Sequence, residues 1–214
     1  MAKRFSIIDL LLALSLVLFI ISMSVVITLN FRPLYYFDID FLDIPADSGF
    51  IREEIRMNYD ALIDYNSIFG PDTLNFPTLP MSETGRIHFE EVKVVFTLFE
   101  KLAIVTGILS IIGIVYRFFK KSRLYLLLAG ILTVGIPALL GVLIALNWDS
   151  VFIMFHKIVF NNDYWIFDAE LDPVIKMLPD TFFMHCAILI LALVVLGSAV
   201  CFLAYGISKR RNKA

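Results

Sequence analysis

The chain of 214 residues is 59% hydrophobic and only 18% charged, with a mean hydropathy of +0.83, whereas soluble domains are about 45–50% apolar. This excess excludes an ordinary water-soluble domain and requires a lipid solvent. The net charge is only −2, and the two cysteines, Cys186 and Cys201, offer neither a disulfide framework nor a metal-ligand spacing.

Four apolar runs predict transmembrane α-helices, because each exceeds the about 20 residues that cross a hydrocarbon core. A backbone without water must satisfy its own hydrogen bonds, which favours helices in all four runs. The first run follows Lys3 and Arg4, as a signal peptide would, but its length indicates a retained span. The predicted spans are residues 7–29, 92–116, 124–148 and 182–208.

The distribution of lysine and arginine predicts the orientation of these spans. Basic residues flank the first span, fill the turn between the second and third, and form the tail: Lys3, Arg4, Arg117, Lys120, Lys121, Arg123, Lys209, Arg210, Arg211 and Lys213. The positive-inside rule places these segments and both termini in the cytoplasm. The acidic segments 30–91 and 149–181 are then extracytoplasmic, and neither carries a basic patch for nucleic acid.

The two outer segments contain short elements of their own. Phe37–Phe41 alternates between apolar and acidic residues, which predicts a short strand. Helical spacing of Ile51, Ile55, Tyr59 and Leu62 predicts an amphipathic helix over residues 50–67. The expected fold is therefore one all-α polytopic membrane domain, residues 1–214, with a cap of short helices and this strand.

The second outer segment is also predicted to contain two short helices. Ser150–Phe160 is apolar but too short to span, which favours an interfacial or re-entrant helix with Ser150 as N-cap. Asp172-Pro173 begins a further helical turn, and Pro179 ends it.

Histidines in the outer segments are the main candidates for acid–base chemistry, because histidine exchanges protons near neutral pH. His88 lies three residues before Glu91, so the carboxylate shares its helix face and could orient the ring as a general base. The alternative is that Glu91 only complements a helix N-terminus. His185 and Cys186 are adjacent on a helix and do not face each other, which favours packing over a Cys–His nucleophile pair.

His156 lies in an aromatic stretch that is followed by Asn162, Asp163 and Trp165. Such surroundings could bind an acylated substrate, although an aromatic belt at headgroup depth would have the same composition. We predict no metal site or cofactor: Asp38, Asp40 and Asp43 lack a full cation-binding loop signature, and no phosphate-binding loop is present.

Charged residues within the second span leave a non-enzymatic alternative open. Lys93, Glu100 and Lys101 could form a structural ion pair or serve in transport, since ionisable groups inside a membrane are expensive. A membrane sensor or an ion-coupled transporter-like protein is therefore the rival to an enzyme.

The sequence resembles the lipoprotein intramolecular transacylase (Lit) family over nearly its whole length. The resemblance rests on the four spans and on short motifs in a fixed order: Asn58-Tyr59-x-x-Leu62-x-x-Tyr65, His88-x-x-Glu91-Val92-Lys93, Phe155-His156-x-x-x-Phe160-x-Asn162-Asp163-x-Trp165, Lys176-Met177-Leu178-Pro179 and Phe182-Phe183. Glu91 stands where the family more often has aspartate, a difference that keeps the carboxylate.

The resemblance implies an acyltransferase of the cell membrane of Gram-positive bacteria. Its substrate would be a diacylated lipoprotein, whose sn-2 acyl chain moves to the α-amino group of the N-terminal cysteine and leaves a lyso-form lipoprotein. His88 and His156 would form a catalytic dyad in contact with membrane lipid. The expected histidine-orienting or substrate-binding residues are Glu91, Arg86, Asn58, Tyr59, Asn162, Asp163 and Trp165. A lipid ester hydrolase is the alternative within enzymes.

Overall fold

A computed structural model describes residues 6–120 and 122–211. Within these residues the chain forms eight α-helices, one 3₁₀ helix and no strand. The α-helices are α1 (Ile7–Asn30), α2 (Arg32–Phe41), α3 (Ile44–Ser48), α4 (Arg52–Tyr65), α5 (Glu83–Phe119), α6 (Leu124–Leu146), α7 (Trp148–Val159) and α8 (Asp180–Arg211), and the 3₁₀ helix is Pro173–Met177.

The four predicted transmembrane helices are confirmed as α1, α5, α6 and α8, which are long and apolar enough to cross a membrane. Helix α5 begins at Glu83, ahead of the predicted residue 92, because its first turns are polar but still helical. His88 and Glu91 therefore belong to the same continuous helix as the apolar run that follows them.

The contacts divide the chain into two compact units. Unit 1 comprises the described residues of Met1–Val26, Phe99–Val142 and Leu189–Ala214. Its main buried apolar cluster comes from α1, α6 and α8. Small residues permit close helix packing there: a Cβ added to Gly197 would lie 2.5 Å from the Ile20 side chain.

Unit 1 also contains a buried polar group, which we call the Asp9 cluster: Asp9, Arg117 and Ser122. Asp9 is fully buried, and Arg117 Nη2 lies 2.5 Å from its Oδ2 atom. Ser122 Oγ donates to the other oxygen at 3.2 Å. The carboxylate that interrupts the first apolar run is thus neutralised by a buried arginine.

Unit 2 comprises Ile27–Leu98 and Leu143–Ile188. Its core packs α2, α3 and α4 against the 3₁₀ helix, the start of α5 and the start of α8. Tyr35 stacks on Tyr59 with ring centroids 3.8 Å apart, and the Tyr35 hydroxyl donates to the Met177 carbonyl at 2.6 Å.

A clasp in unit 2 fixes the start of α5. Asp172 is buried, and its carboxylate accepts from Ser82 N at 2.7 Å and from Ser82 Oγ at 2.6 Å. Gly85 lies so close that an added Cβ would overlap the Asp172 carboxylate. The clasp holds the helix that carries His88 against the segment before the 3₁₀ helix.

Three local predictions are corrected. Phe37–Phe41 is part of α2 rather than a strand, because five alternating residues also fit a helix that buries Tyr35, Asp38 and Ile39 on one face. The N-cap of α7 is Asn147, whose Oδ1 accepts from Ser150 N at 2.8 Å, and not Ser150 itself. The amphipathic helix is confirmed as α4, but Ile51 precedes it and is exposed.

Candidate active site

Two histidines from distant parts of the sequence meet in unit 2. His88 lies near the start of α5 and His156 near the end of α7, and their ring centroids are 6.1 Å apart. Helix α7 ends at Val159, and the turn that follows returns aromatic and amide side chains to the same place. The predicted association of His88 with His156 is thus a feature of the structure.

His156 has a defined tautomer. Its Nδ1 atom lies 2.8 Å from the carbonyl oxygen of Phe152, one helical turn earlier. A carbonyl can only accept, so Nδ1 carries a proton and Nε2 holds the lone pair of the neutral ring. Burial lowers the pKa of His156, while the hydrogen bond to Phe152 opposes this change. The ring is therefore a neutral base at physiological pH.

His88 is almost completely enclosed, with 5% of its surface exposed. Aromatic rings surround it: Phe160 at 4.7 Å and Phe167 at 5.5 Å between centroids. Its Nδ1 atom is buried and has no hydrogen-bond partner among the described residues. The ring thus has an unused polar atom in apolar surroundings, where a hydrogen bond to a ligand would be strong.

The aromatic wall continues around His156. Phe152 and Trp165 lie at 4.2 Å and 4.8 Å from its ring, and Phe89 stacks on Phe167 at 5.4 Å. Phe89 and Phe167 are not among the predicted site residues. The position of Phe89 beside His88 is a weak signal in the sequence, and nothing in the sequence indicates Phe167.

Glu91 is held by the segment after α7 and not by His88. Asn162 Nδ2 donates to Glu91 Oε1 at 2.8 Å, and Trp165 Nε1 donates to the Asn162 carbonyl at 3.1 Å. No hydrogen bond joins Glu91 to His88, and Glu91 Oε2 is buried without a partner among the described residues. We call His88, His156, Glu91 and Asn162 the histidine site.

Four other expected site residues lie outside the histidine site. Arg86 pairs with Glu83 and Glu90 on an exposed face of α5, and Asp163 is exposed. Asn58 is fully buried and its Nδ2 donates to Thr78 Oγ1 at 2.7 Å. Tyr59 is buried in the stack on Tyr35 described above. In this structure Asn58 and Tyr59 stabilise the cap.

The third histidine belongs to a separate pair. His185 Nδ1 lies 2.9 Å from both carboxylate oxygens of Asp38, which is fully buried. The pair ties α2 to α8, and the sequence gives no signal for it because the two residues are 147 positions apart. His185 and Cys186 do not form a nucleophile pair, since the ring nitrogen is directed to Asp38.

The described residues contain no group of three or more His, Cys, Asp or Glu side chains that could hold a metal ion. The histidine site brings together two imidazoles, one carboxylate and one amide within an aromatic wall. These groups can move protons and bind a polar head while the wall receives apolar chains.

The four apolar helices define a polytopic membrane protein in which two histidines lie close together within aromatic rings. Comparison with known proteins identifies its family. The family model for the lipoprotein intramolecular transacylase Lit matches residues 10–183. The chain therefore belongs to the Lit family and is an acyltransferase.

Solved structures agree with this assignment. The membrane-integral lipoprotein intramolecular transacylase Lit from Bacillus cereus is 40% identical, with a TM-score of 0.94 and 96% of each chain covered. Two structures of that protein with one histidine changed to arginine or alanine have TM-scores of 0.87 at 39% identity. Each match covers 96% of this chain, together with 92% of the arginine variant and 94% of the alanine variant. No curated protein sequence matches the chain.

Proposed function

We propose that the protein moves the sn-2 acyl chain of a diacylated lipoprotein to the α-amino group of its N-terminal cysteine. The product is a lyso-form lipoprotein with an N-acyl group and a monoacylglyceryl thioether. The observation that carries the proposal is the close pair of His88 and His156 within the aromatic wall. Family membership supports the same reaction class.

The hydrogen bond from His156 to Phe152 favours His156 as the base. Because Nδ1 is committed to the carbonyl, Nε2 is available to take a proton from the substrate amine. His88 then hydrogen-bonds the carbonyl or the leaving oxygen. General acid–base catalysis of this kind contributes about 10²–10⁴-fold to a rate.

The proposed reaction balances without an acyl-enzyme intermediate. The amine nitrogen attacks the ester carbonyl carbon as its proton passes to His156. The bond to the glycerol oxygen then breaks and that oxygen gains the proton that His156 took, while His88 donates a hydrogen bond to the developing oxyanion. The N–C amide bond forms and the sn-2 C–O ester bond breaks, so the dyad ends the cycle as it began.

An enzyme of this kind needs no serine or cysteine nucleophile. Donor ester and acceptor amine belong to one molecule, so holding them together supplies about 7–11 kcal/mol in effective-molarity terms. The aromatic rings around both histidines provide an apolar surface for the acyl chains and exclude water, which would hydrolyse the ester.

We further propose that the protein lies in the cell membrane with both termini in the cytoplasm and the site outside. Basic residues concentrate at the termini and in the turn after α5, in accord with the positive-inside rule. The acidic outer segments carry His88 and His156. The membrane itself and a diacylated lipoprotein would be its partners.

Expression in a bacterium that makes only diacylated lipoproteins tests the reaction. Mass spectrometry of N-terminal lipopeptides should show the lyso form with the wild-type protein and its loss with His88→Ala or His156→Ala. Free fatty acid with no N-acyl product would instead indicate a hydrolase. Absence of the lyso form with folded wild-type protein would refute the proposed transfer.

A further inference from the structure

Glu91 is a half-buried residue whose carboxylate has one fully buried oxygen and no ion pair among the described residues. Its Oε1 atom accepts from Asn162, whereas Oε2 is buried and unpartnered among the described residues. Glu91 forms no ion pair there either. A buried carboxylate without a positive partner is unfavourable, because the protein must replace the hydration of the charge.

The basic side chains nearest to Glu91 in sequence are engaged elsewhere. Arg86 pairs with Glu83 and Glu90. Lys93 donates to the Pro71 carbonyl at 2.5 Å, and its ammonium lies 4.4 Å from the centre of the Tyr65 ring. Neither of these cations neutralises Glu91, so the unpartnered oxygen is available to the positive group of a bound ligand.

The position of Glu91 suggests which cation this is. Glu91 lies three residues after His88, so both side chains project from one face of α5. Asn162 fixes one carboxylate oxygen of Glu91, and the Trp165 ring that bonds Asn162 also packs against His156. Glu91 is thus linked to His156 through Asn162 and Trp165, and it shares one face of α5 with His88.

We propose that Glu91 binds the α-ammonium group of the substrate. The inference rests on the proposed function, which brings a free α-amino group to this site. The substrate nitrogen would donate one N–H to Glu91 Oε2 and present a second to the base. The ammonium first loses one proton to bulk water, and the neutral amine keeps its hydrogen bond to Glu91, which directs the nitrogen lone pair toward the ester carbon. His156 takes the second proton as the N–C bond forms, and that proton ends on the glycerol oxygen.

This role differs from orienting a histidine. A histidine-orienting carboxylate would bond an imidazole nitrogen, but Glu91 bonds an amide and no ring. A carboxylate that binds substrate should discriminate between lipopeptides with and without an α-amino group. A purely structural carboxylate should not.

The test measures binding of two lipopeptides that cannot react because an ether replaces the sn-2 ester. One has a free α-amino group, and the other has hydrogen in its place. Dissociation constants are measured for the full-length wild-type protein, Glu91→Gln and Glu90→Gln. Glu90 is the matched control, because it is the adjacent glutamate and is exposed beside Arg86.

Hydrogen bonds to charged groups contribute about 1.5–3 kcal/mol, so wild type should bind the amino lipopeptide about 10- to 100-fold more tightly than the desamino form. Glu91→Gln should bring this ratio to within about threefold of unity with little change in desamino binding. Glu90→Gln should keep the wild-type ratio.

An unchanged ratio in folded Glu91→Gln would overturn the proposal, as would equal weakening of both lipopeptides. If Glu91→Gln does not fold, Glu91→Ala gives the answer: removal of the carboxylate should bring the ratio to within about threefold of unity, and a wild-type ratio would again overturn the proposal. A parallel assay with the ester lipopeptide separates the two hypotheses, because failure of wild type to form lyso product refutes the reaction and not the binding.

Discussion

The Asp9 cluster of unit 1 and the histidine site of unit 2 differ in how their carboxylates are paired. In the Asp9 cluster of unit 1, both carboxylate oxygens have partners, one of them the guanidinium of Arg117, and only Arg117 Nε has none among the described residues. In the histidine site of unit 2, the buried atoms His88 Nδ1 and Glu91 Oε2 have none among the described residues.

This difference in pairing suggests that the Asp9 cluster serves stability and the histidine site serves function. A paired buried charge is destabilised when one partner is lost, because the remaining charge is then uncompensated. Unpaired polar atoms already reduce stability and are found where a ligand is to be bound or a proton moved. Substitutions in the first cluster should therefore affect folding, and those in the second should affect the reaction.

The largest expected effect is the loss of activity in His156→Ala. Removal of the proposed base should reduce the single-turnover rate of lyso-lipopeptide formation about 10²–10⁴-fold, with a thermal unfolding midpoint close to wild type. The control is Lys157→Ala, since Lys157 is the exposed neighbour on α7. More than a tenth of wild-type activity in folded His156→Ala would contradict the dyad.

Asp9→Ala should have the opposite effect. It leaves Arg117 buried and unpaired, so we expect a loss of about 3–5 kcal/mol in stability and little change in the specific activity of the folded fraction. Thermal unfolding in detergent, together with activity per folded protein, measures both. The double variant Asp9→Leu with Arg117→Met should recover most of the stability. Lost activity at full stability would show that the Asp9 cluster takes part in catalysis.

A smaller effect is expected at the clasp between Asp172 and Ser82. Asp172→Ala leaves the Ser82 N–H and hydroxyl without their acceptor, which should lower stability by about 1–3 kcal/mol. Gly85→Ala should also destabilise the protein, because its Cβ would overlap the Asp172 carboxylate.

The two changes at the clasp should not be additive. Once Asp172 is alanine, the overlap is gone and Gly85→Ala should have little further effect, so a double-mutant cycle by thermal unfolding measures their coupling. Additive losses would show that Gly85 is constrained by something other than the carboxylate.

The sequence predicts the helices of this protein better than its contacts. Length and apolarity are sufficient to identify four spans, and eleven or more residues of regular spacing are sufficient for α4. Five alternating residues in α2 are too few, because Phe37–Phe41 satisfies both a strand pattern and a helix face.

The site was predictable in its residue types and not in its geometry. His88 and His156 could be selected because histidines at a membrane interface suit proton transfer. Their approach to 6.1 Å depends on how α5 and α7 pack, and so does the bond from Asn162 to Glu91. Asp38 and His185 show the same limit, because neither residue has a local pattern that indicates the other.

The smallest expected effect is the contribution of His156 to the pH dependence of stability and of the reaction rate. Because burial lowers its pKa, the folded protein resists protonation of His156 below the ordinary histidine pKa of about 6.5. The unfolded chain then binds more protons than the folded protein as the pH falls through 6.5. Stability should therefore be full above this pH and decline below it.

The lowered pKa also affects the reaction, because it keeps His156 neutral at pH 6.5. The fall in rate that protonation of His156 causes should therefore occur below pH 6.5. The substrate α-amino group, with an ordinary pKa of about 7.7–8.0, should cause a separate change in the rate in its own pH range. Single-turnover rates of wild type from pH 5 to 9, with the unfolding midpoint of wild type and His156→Gln at each pH, resolve the two. If protonation of His156 lowered the rate above pH 6.5, the protein would stabilise His156 as a cation. The histidine site would then resemble the Asp9 cluster, in which the charge of Asp9 is paired with that of Arg117.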